Sequence, residues 1–406
     1  MVIISNGFSK FHLSVAAAEA DRRHLLTSFL TGAYPTRSLR KILSLPYIRT
    51  NSKANRLAAR MDDVPEEQVH PLFSAEVLHA LGAVFHSGAM DIESLRFYGR
   101  LACRHVERAA AAGARIYHYR AGFGGASLEV ARKRGMFLLC DHSIAHPLTV
   151  EALMNNAGRM PAREETLSAG KIWMHFFQDI EQADAVLVNS HFVRDTFVAS
   201  GYDRLPIHVI YLGIDEAFLT RIPERKAASS EFSLLFAGTF DKRKGAELLI
   251  GAVGRLDNIP WRLEIAGPVG RDMAGRAQQF FSHPRVKYLG NLSRLELARA
   301  MSRADVFVFP SLAEGSARVV FEALACGCYV ITTPNSGSIV EDGVHGAIIP
   351  PGESAALAEA VENAYQHRDE VSEIGKNNTL CVRAKYRQCD YGDQLAGLYK
   401  VLSGES

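Results

Sequence analysis

Two glutamates, Glu314 and Glu322, stand eight positions apart and have the types and spacing that can carry chemistry. Glu314 lies beside a glycine in a predicted loop, whereas Glu322 lies in the otherwise apolar run Val319–Leu324. Burying a carboxylate without a partner is costly. A carboxylate accepts two hydrogen bonds, and the 2′,3′-diol of a ribose is a natural pair of donors. The alternatives are a glutamate on a surface loop and a helix glutamate paired with a buried arginine.

The first of these glutamates lies in a loop that is suited to phosphate. The loop follows a predicted strand, Val306–Phe309, and precedes a predicted helix that begins at Ala317 and stops at Gly327. Gly315 permits tight backbone geometry, and Ser316 is a suitable N-cap. Because a helix N-terminus offers free N–H groups and a partial positive charge, we expect a phosphate group to bind there.

A second polar cluster, "GTFDKRKG", follows the predicted strand Ser233–Ala237. By residue type, Arg243 and Lys244 can neutralise a diphosphate leaving group, on which negative charge builds up during its departure. The alternative is a solvated, charged turn. The two clusters together favour a site for a phosphorylated ligand at the carboxyl ends of parallel strands, which is where open sheets bind ligands.

Histidines follow two strands of the first half. His142 and His146 lie in "LLCDHSIAHP", but this H-x-x-x-H pair lacks a third ligand and the glutamate of H-E-x-x-H, so we expect no metal. His118 and Arg120 end another strand and are followed by glycines. His118 fits a site residue and a satisfied core histidine equally well.

The rest of the chain predicts an α/β protein with two domains of similar size. Its 406 residues, net charge of +2 and 22% charged residues are typical of a globular enzyme without a nucleic-acid footprint. Strand patterns alternate with helical ones, so we expect parallel sheets with helices on both faces. The polar stretch Thr220–Ser233 is predicted to link the two domains. The eleven predicted strands are Val2–Ser5, Ala114–His118, Met136–Cys140, Ala185–Asn189, His208–Leu212, Ser233–Ala237, Arg262–Ala266, Val286–Leu289, Val306–Phe309, Tyr329–Thr332 and Ala347–Ile349.

The sequence has no recognisable signal peptide and no apolar run long enough to span a bilayer, which predicts a cytoplasmic protein. The segment Arg22–Arg60 contains nine arginines and lysines and no carboxylate. It fits a solvated helical face, or an interfacial segment that meets either an anionic acceptor or an anionic lipid surface on the inner face of the membrane.

The second half resembles the retaining, nucleotide-sugar-dependent glycosyltransferases of family four, which have the GT-B fold. The resemblance rests on the E-x7-E pair followed by "EALACGCYVITT", and on segments in the expected order: "FAGTFDKRKGAELLIGAV", "LEIAGPVG", "VKYLGNLSRLELARAMSRADVFVFPS" and "ITTPNSGSIVEDGVHGAIIP". It implies two doubly wound Rossmann-like domains that face each other across a cleft. The implied boundaries are residues 1–222 for the acceptor domain, rejoined by a C-terminal helix within 386–406, and 231–385 for the donor domain.

The resemblance also assigns roles to residues. Glu314, His142 and Lys244 would act on the transferred sugar and its diphosphate, and Glu322 would hold the ribose. The implied donor contacts are Gly238, Thr239, Arg243, Lys244, Gly315, Ser316, Ala317, Arg318, Val319 and Glu322, with Gly7, His118, Arg120, Gly290 and Leu292 as further candidates. Thr239 stands where family members often have an arginine, and the region before residue 110 matches the family poorly.

The implied function is transfer of a hexose from a nucleoside-diphosphate sugar to a hydroxyl of a glycan or lipid-linked acceptor, without metal or cofactor, in bacterial envelope polysaccharide synthesis. A nucleotide-sugar epimerase and a non-catalytic nucleotide-sugar-binding subunit are the alternatives on the same architecture. The base of the nucleotide and the identity of the sugar are not encoded in these motifs.

Overall fold

A computed structural model describes residues 1–9, 11–43, 55, 57–58, 63–155, 158–159, 173–225 and 231–404. These residues form two parallel sheets, each covered by helices on both faces. The first sheet has seven strands: β1 Val2–Ser5, β2 Leu26–Thr31, β3 Val69–Pro71, β4 Ile116–Arg120, β5 Phe137–His142, β6 Ala185–Val188 and β7 Ile207–Val209. The second has six: β8 Phe232–Ala237, β9 Trp261–Ala266, β10 Val286–Gly290, β11 Val306–Phe309, β12 Tyr329–Thr332 and β13 Gly346–Ile348.

The described helices alternate with these strands. In the first half they are α1 Leu13–Arg22, α2 Arg37–Leu43, α3 Phe73–Val84, α4 Gly88–Ala111, α5 Ala126–Lys133, α6 Pro147–Asn155, α7 Trp173–Glu181, α8 His191–Ala199 and α9 Glu216–Leu219. In the second half they are α10 Ala246–Val253, α11 Ala274–Phe281, α12 Arg294–Met301, α13 Arg318–Ala325, α14 Ser354–Gln366, α15 Arg368–Lys385 and α16 Gln388–Ser403.

The strand orders place two loops of each sheet at a switch point. The first sheet runs β3-β2-β1-β4-β5-β6-β7 and the second runs β10-β9-β8-β11-β12-β13. The order therefore reverses between β1 and β4 and between β8 and β11. Ligands of open parallel sheets bind at this reversal, outside the carboxyl ends of the strands. The connections after β1, β8 and β11 are consequently the places to look for a site.

The inner strands, such as β1, β8, β11 and β12, are buried on both faces, as apolar runs such as Phe232–Ala237 predict, whereas β10 at the edge of the second sheet is partly exposed. The predicted α/β architecture with two doubly wound domains is confirmed. Each of the eleven predicted strands corresponds to an observed one with ends shifted by at most three residues, the largest shift being at the end of β7. Two strands of the first sheet, β2 and β3, were not predicted, and β2 lies inside the segment that sequence analysis singled out for its basic charge.

The chain returns to the first domain at its C-terminal end. Tyr391, Leu395 and Tyr399 of α16 are buried in one cluster with Leu13 and Ala17 of α1, so the expected returning helix is confirmed. The core of the second domain also extends back before residue 222, because α9 packs into it through buried side chains of Phe218 and Leu219.

The basic segment is partly described, and several of its arginines meet carboxylates from elsewhere. Arg22 and Arg23 both pair with the buried Glu19. Arg37 and Arg40 lie 3.5 and 3.1 Å from Glu66. Lys41 is an exposed residue of α2, and the other four cations of the segment, at positions 49, 53, 56 and 60, lie outside the described residues. In the part of the chain that the structure describes, no helix has the length and apolar character needed to cross a bilayer.

Candidate active site

The loop before α13 and the turn before α10 are joined by hydrogen bonds. The Leu312 amide donates to Arg243 O at 2.8 Å, and Ser311 Oγ donates to the same oxygen at 3.1 Å. A Cβ added to Gly245, which has φ 81°, would overlap Pro310 O, so this close approach requires a glycine. The connections after β8 and β11 therefore form one surface at the switch point of the second sheet. We call residues 311–317 the donor loop and residues 241–245 the basic turn.

Glu314 of the donor loop is held by two of the three cations of the basic turn. Its Oε1 lies 2.8 Å from Lys244 Nζ and 2.5 Å from Arg243 Nη1. Lys244 and Glu314 are largely enclosed, with 16% and 13% of their side chains exposed. Lys244 Nζ also lies 5.0 Å from the centre of the Phe309 ring, which favours its charge. The structure thus brings together Glu314, Arg243 and Lys244, three residues singled out in the sequence.

Helix α13 begins at Arg318, one residue later than predicted. Its N-cap is Ala317, which supplies no side-chain hydrogen bond, so the prediction of Ser316 as the cap was wrong. The Ala317 amide donates instead to Ser336 O at 2.9 Å. The start of α13 is therefore positioned by the backbone of the segment after β12 and not by a side-chain cap, and Ser316 faces the space between the domains.

The Glu322 carboxylate forms ion pairs with two arginines of the protein. Its Oε1 lies 3.1 Å from Arg294 Nε and 3.0 Å from Arg294 Nη2, and 3.7 Å from Arg318 Nε. Both arginines also bind Asp215 Oδ2, at 2.6 and 2.7 Å. Burial raises the pKa of the Glu322 carboxyl, against the opposing charges of the two arginines. A network of two carboxylates and two guanidinium groups thus offsets the cost of burying Glu322.

The donor loop also touches the first domain. A Cβ on Gly315 would overlap Ser143 O, and Ser190 Oγ donates to Gly315 O at 2.5 Å. Asn335, which follows β12, donates to Gly158 O and to Leu312 O. Asn189 and Ser190, which follow β6, therefore lie where the donor loop meets the first domain.

A cavity of about 390 Å³ lies between the two domains beside these contacts. The first domain contributes residues from the connection after β1 and the end of β6, and the second contributes the donor loop and α13. Its lining includes Phe11, His12, Asn189, Ser316, Arg318 and Phe321.

The two histidines after β5 are buried side by side. Burial lowers the pKa of His142 to about 4 and that of His146 to about 3. His142 Nε2 has no hydrogen-bond partner among the described residues. His142 is only 3% exposed and is not among the described residues that line the cavity, so the structure does not bring it together with Ser316 and Arg318 there. Nowhere in the described ranges do three His, Cys, Asp or Glu side chains group as a metal site requires.

The other candidates of the first domain lie behind the cavity. His118 is fully buried, and its Nδ1 lies 2.7 Å from Tyr399 Oη on the returning helix. Arg120 donates to Phe8 O at 3.2 Å, and its guanidinium lies 3.9 Å from the centre of the Phe11 ring. Burial lowers the pKa of Arg120 to about 10. At Gly7, with φ 76°, an added Cβ would lie 2.7 Å from the Phe123 ring.

The remaining donor-side candidates surround the basic turn and the network at Glu322. Gly238 and Thr239 follow β8, and an added Cβ at Gly238 would lie 3.1 Å from Lys244 Cδ. Gly290 ends β10 with φ 66°, and Leu292 packs against the second core just before α12. Val319 is half-buried in the first turn of α13. We therefore find these residues near the candidate site, without a contact that assigns them a role.

Four residues of the site were missed by sequence analysis. Asp215 and Arg294 form the network with Glu322. His12 and Asp141 form a pair in the first domain, with His12 Nε2 3.0 Å from Asp141 Oδ2. The position of His12 in the chain could have indicated a site residue, because it follows the first strand of a parallel sheet at the edge where ligands bind. Asp215 and Arg294 carry no local signal, since their partner is distant in sequence.

Comparison with known proteins finds a family match within the second domain. Residues 231–367 match the family described as "Glycosyl transferases group 1". Among curated relatives, the D-inositol 3-phosphate glycosyltransferases of Mycobacterium tuberculosis and Mycobacterium bovis are 28% identical, over 46% of this chain and 42% of theirs. The match thus spans less than half the length of these relatives.

Solved structures match over the whole chain. The sucrose-phosphate synthase of Thermosynechococcus elongatus is 19% identical with a TM-score of 0.67 and full coverage of both chains. A glycosyltransferase from Rickettsia africae is 13% identical with a TM-score of 0.68, over 100% of this chain and 99% of that one. Anabaena HepE in complex with UDP and glucose is 17% identical with a TM-score of 0.60, over 99% and 100%. These likenesses show the fold, which is the predicted GT-B fold.

Proposed function

We propose that this chain, whose C-terminal domain is that of the group 1 glycosyltransferases and whose two domains have the GT-B fold, transfers a hexose from a nucleoside-diphosphate sugar to an acceptor hydroxyl with retention of configuration. The donor binds the second domain at the donor loop and basic turn. The acceptor binds the first domain, and the reaction takes place in the cavity between them.

The convergence of Lys244, Arg243 and Glu314 is the observation that supports this proposal most directly. Two cations on one carboxylate leave a net positive charge of one at the switch point, beside the uncapped N-terminus of α13. A bound diphosphate supplies the negative charge that this arrangement lacks, and both cations can turn from Glu314 towards it. Glu314 is then free to accept hydrogen bonds from sugar hydroxyls.

The chemistry requires stabilisation of the leaving group. As the bond between the anomeric carbon and the diphosphate oxygen breaks, negative charge grows on the diphosphate. Lys244, Arg243 and the N–H groups at the start of α13 stabilise that charge where it develops. A metal is not needed for this step in the proposal, because these groups supply the positive charge. The departing phosphate oxygen lies on the face from which the acceptor attacks, which gives retention.

The relatives support a uridine nucleotide as the first donor to test. The Anabaena HepE structures hold UDP, UDP-glucose, or UDP and glucose. In this chain Glu322 is the group proposed for the ribose, with its Oε1 on Arg294 and its second oxygen available to the diol.

We further propose a glycan or lipid-linked acceptor of the kind used in bacterial envelope polysaccharide synthesis, with the protein peripheral on the inner face of the cytoplasmic membrane. An apolar ridge on and after α3 supports contact with a lipid surface, because Val84 and Phe85 are 61% and 68% exposed. Flotation with anionic and with neutral liposomes tests this contact. Absence of binding to anionic vesicles at low salt would contradict it.

Product analysis tests the proposed activity. The protein is incubated with UDP-glucose, with and without D-inositol 3-phosphate or octyl glucoside, and released nucleotide and glycosylated product are identified by mass spectrometry and NMR. We expect UDP release that is stimulated by one acceptor and an α-linked product. Isomerised donor formed without acceptor would indicate an epimerase, and nucleotide binding without turnover of any sugar nucleotide would indicate a binding subunit.

A further inference from the structure

The side chain of His12 lines the cavity between the domains and also contacts a buried carboxylate, that of Asp141. His12 lies on the connection after β1 and lines the cavity. Its Nε2 is 2.9 Å from Asp141 Oδ1 and 3.0 Å from Asp141 Oδ2. Among the described residues no hydrogen bond involves His12 Nδ1. His12 is 16% exposed and Asp141 only 3% exposed, so the pair runs from the cavity into the interior of the first domain.

The interior holds Asp141 in its ionised form. Burial alone raises the pKa of the Asp141 carboxyl, but the neighbouring rings of His12 and His118 outweigh it and hold that pKa well below its usual range. His118 Nε2 lies 3.4 Å from Asp141 Oδ2, and the opposite nitrogen of His118 is bound by Tyr399 Oη. His118 therefore holds Asp141 from the interior of the domain, and His12 is the member of the pair that lines the cavity.

A carboxylate that binds one ring nitrogen of histidine determines where the proton of the neutral ring lies. With Nε2–H donating to Asp141, the lone pair of Nδ1 is the free acceptor. This ring nitrogen belongs to the first domain. His12 lines the same cavity as Ser316 and Arg318 at the start of α13. A base in this place can reach a hydroxyl that is bound in the cavity beside the start of α13.

We propose that His12 is the general base of the transfer reaction and that Asp141 is its positioning residue, an inference that rests on the proposed function. The acceptor hydroxyl gives its proton to His12 Nδ1 as its oxygen forms the bond to the anomeric carbon. The bond from that carbon to the diphosphate oxygen breaks, and its electron pair leaves with the nucleoside diphosphate. His12 then carries the proton that would otherwise pass to the departing phosphate, and Asp141 stabilises the imidazolium. The proton returns to water after product release.

The kinetic test uses His12→Gln, with His283→Gln as a matched control on an exposed histidine of the second domain. A general base contributes about 10²–10⁴-fold to a rate. We expect His12→Gln to lower kcat for UDP release from UDP-glucose, with water or with added acceptor, by about 100-fold or more. UDP affinity measured by calorimetry stays unchanged, as it does in the control. An unchanged kcat in His12→Gln overturns the inference and leaves the proposed function intact.

The positioning role of Asp141 is tested by Asp141→Asn with a kinetic and a spectroscopic measurement. We expect kcat to fall at least tenfold while the KM for UDP-glucose and the affinity for UDP stay unchanged. A loss of UDP affinity together with kcat would instead indicate a structural role for Asp141 and would overturn this part of the inference.

The position of the proton on the ring is measured independently of turnover. In ¹⁵N NMR of histidine-labelled protein at alkaline pH, with the His12 signals identified by their loss in His12→Gln, we expect the proton on Nε2 and a bare Nδ1. A ring protonated on Nδ1 overturns the inference even if no acceptor supports turnover. Failure of the wild type to bind any nucleoside diphosphate, in contrast, refutes the proposed function and not the His12 geometry.

Discussion

Lys244 Nζ lies 2.8 Å from Glu314 Oε1, and this ion pair joins the two loops that follow β8 and β11. In the proposed function, the carboxylate holds the lysine in the place that the diphosphate takes. Binding of a donor would then exchange one anionic partner of Lys244 for another and would need little rearrangement of the basic turn.

Replacement of Lys244 with alanine tests its contact with the diphosphate. A hydrogen bond to a charged group contributes about 1.5–3 kcal/mol, so we expect the affinity for UDP to fall by about 10- to 150-fold. The control is Lys242→Ala, because Lys242 in the same turn is half exposed and lies 3.6 Å from Glu247. Calorimetry of both variants gives the comparison. Equal affinities in the two would show that the diphosphate does not bind at Lys244.

Glu314→Gln separates binding of the sugar from binding of the nucleotide. Loss of the carboxylate frees Lys244 and Arg243, so we expect UDP itself to bind at least as tightly as in the wild type. Transfer from UDP-glucose falls by about 100-fold or more, because the sugar loses a charged hydrogen-bond acceptor in the transition state. Steady-state kinetics beside calorimetry measures both effects. A variant with the full transfer rate would exclude a role for Glu314 in positioning the sugar.

The ribose role of Glu322 is distinguished from a purely structural role by the choice of nucleotide. Glu322 is paired with Arg294 at 3.0 Å, so its removal destabilises the network whether or not ribose binds there. We expect the wild type to prefer UDP over 2′-deoxy-UDP by at least about tenfold, or 1.4 kcal/mol, and Glu322→Gln to lose the preference. Competition titrations measure the ratio within one protein, which cancels any general loss of stability. A preference that persists in the variant would assign Glu322 to the ion-pair network alone.

Gly315→Ala tests the contact between the domains. The added Cβ would overlap Ser143 O, so we expect a loss of more than about 2 kcal/mol in unfolding free energy, or an opened cleft with weakened donor binding. The matched control is Gly275→Ala in α11, where an added Cβ meets nothing within 4 Å. That change stabilises a helix by about 0.5–1 kcal/mol. Thermal unfolding and titration with UDP measure both effects in the two variants. A Gly315→Ala protein with wild-type stability and wild-type UDP affinity would contradict the close approach of Gly315 to Ser143 O.

The pH dependence of stability reports on the buried histidine His146. Burial and the neighbouring His142 lower the pKa of His146 to about 3. A lowered pKa means that the unfolded chain binds the proton more readily, so the stabilising contribution is complete above about pH 6.5 and is lost as pH falls towards 3.

We therefore expect the free energy of unfolding of the wild type to fall on acidification relative to that of His146→Phe. The phenylalanine keeps the ring packing against Phe177 and Phe197 but does not titrate. Urea unfolding at a series of pH values between about 4 and 7 measures the difference. Parallel pH curves for the two proteins would contradict the assigned shift.

The second domain was predictable because its signals are local. The apolar strands, Gly245, Gly315 and the charged residues after each strand stand in the order in which the sheet brings them together. The first domain was less predictable. The strand β2, Leu26–Thr31, does not alternate between apolar and polar residues, and β3 spans only Val69–Pro71, so neither shows a clear period.

The site was predictable only in part for a related reason. Glu314, Lys244 and Arg243 could be singled out because loops after strands of one sheet meet at one edge. The partners of Glu322 could not, because Arg294 lies 28 positions away and Asp215 lies in a different part of the chain. The pairing of His12 with Asp141 spans 129 positions and depends on the parallel order of β1, β4 and β5. Such contacts follow from the fold and not from the spacing of residues in the sequence.

Calorimetric titration of the wild-type protein with UDP, GDP and ADP tests the central claim most directly, because every proposed role of the site requires that it binds a nucleoside diphosphate. We predict saturable binding of one of these nucleotides, with UDP the first expected. Absence of binding by all three would contradict the assignment of the donor loop and basic turn, and with it the proposed glycosyl transfer.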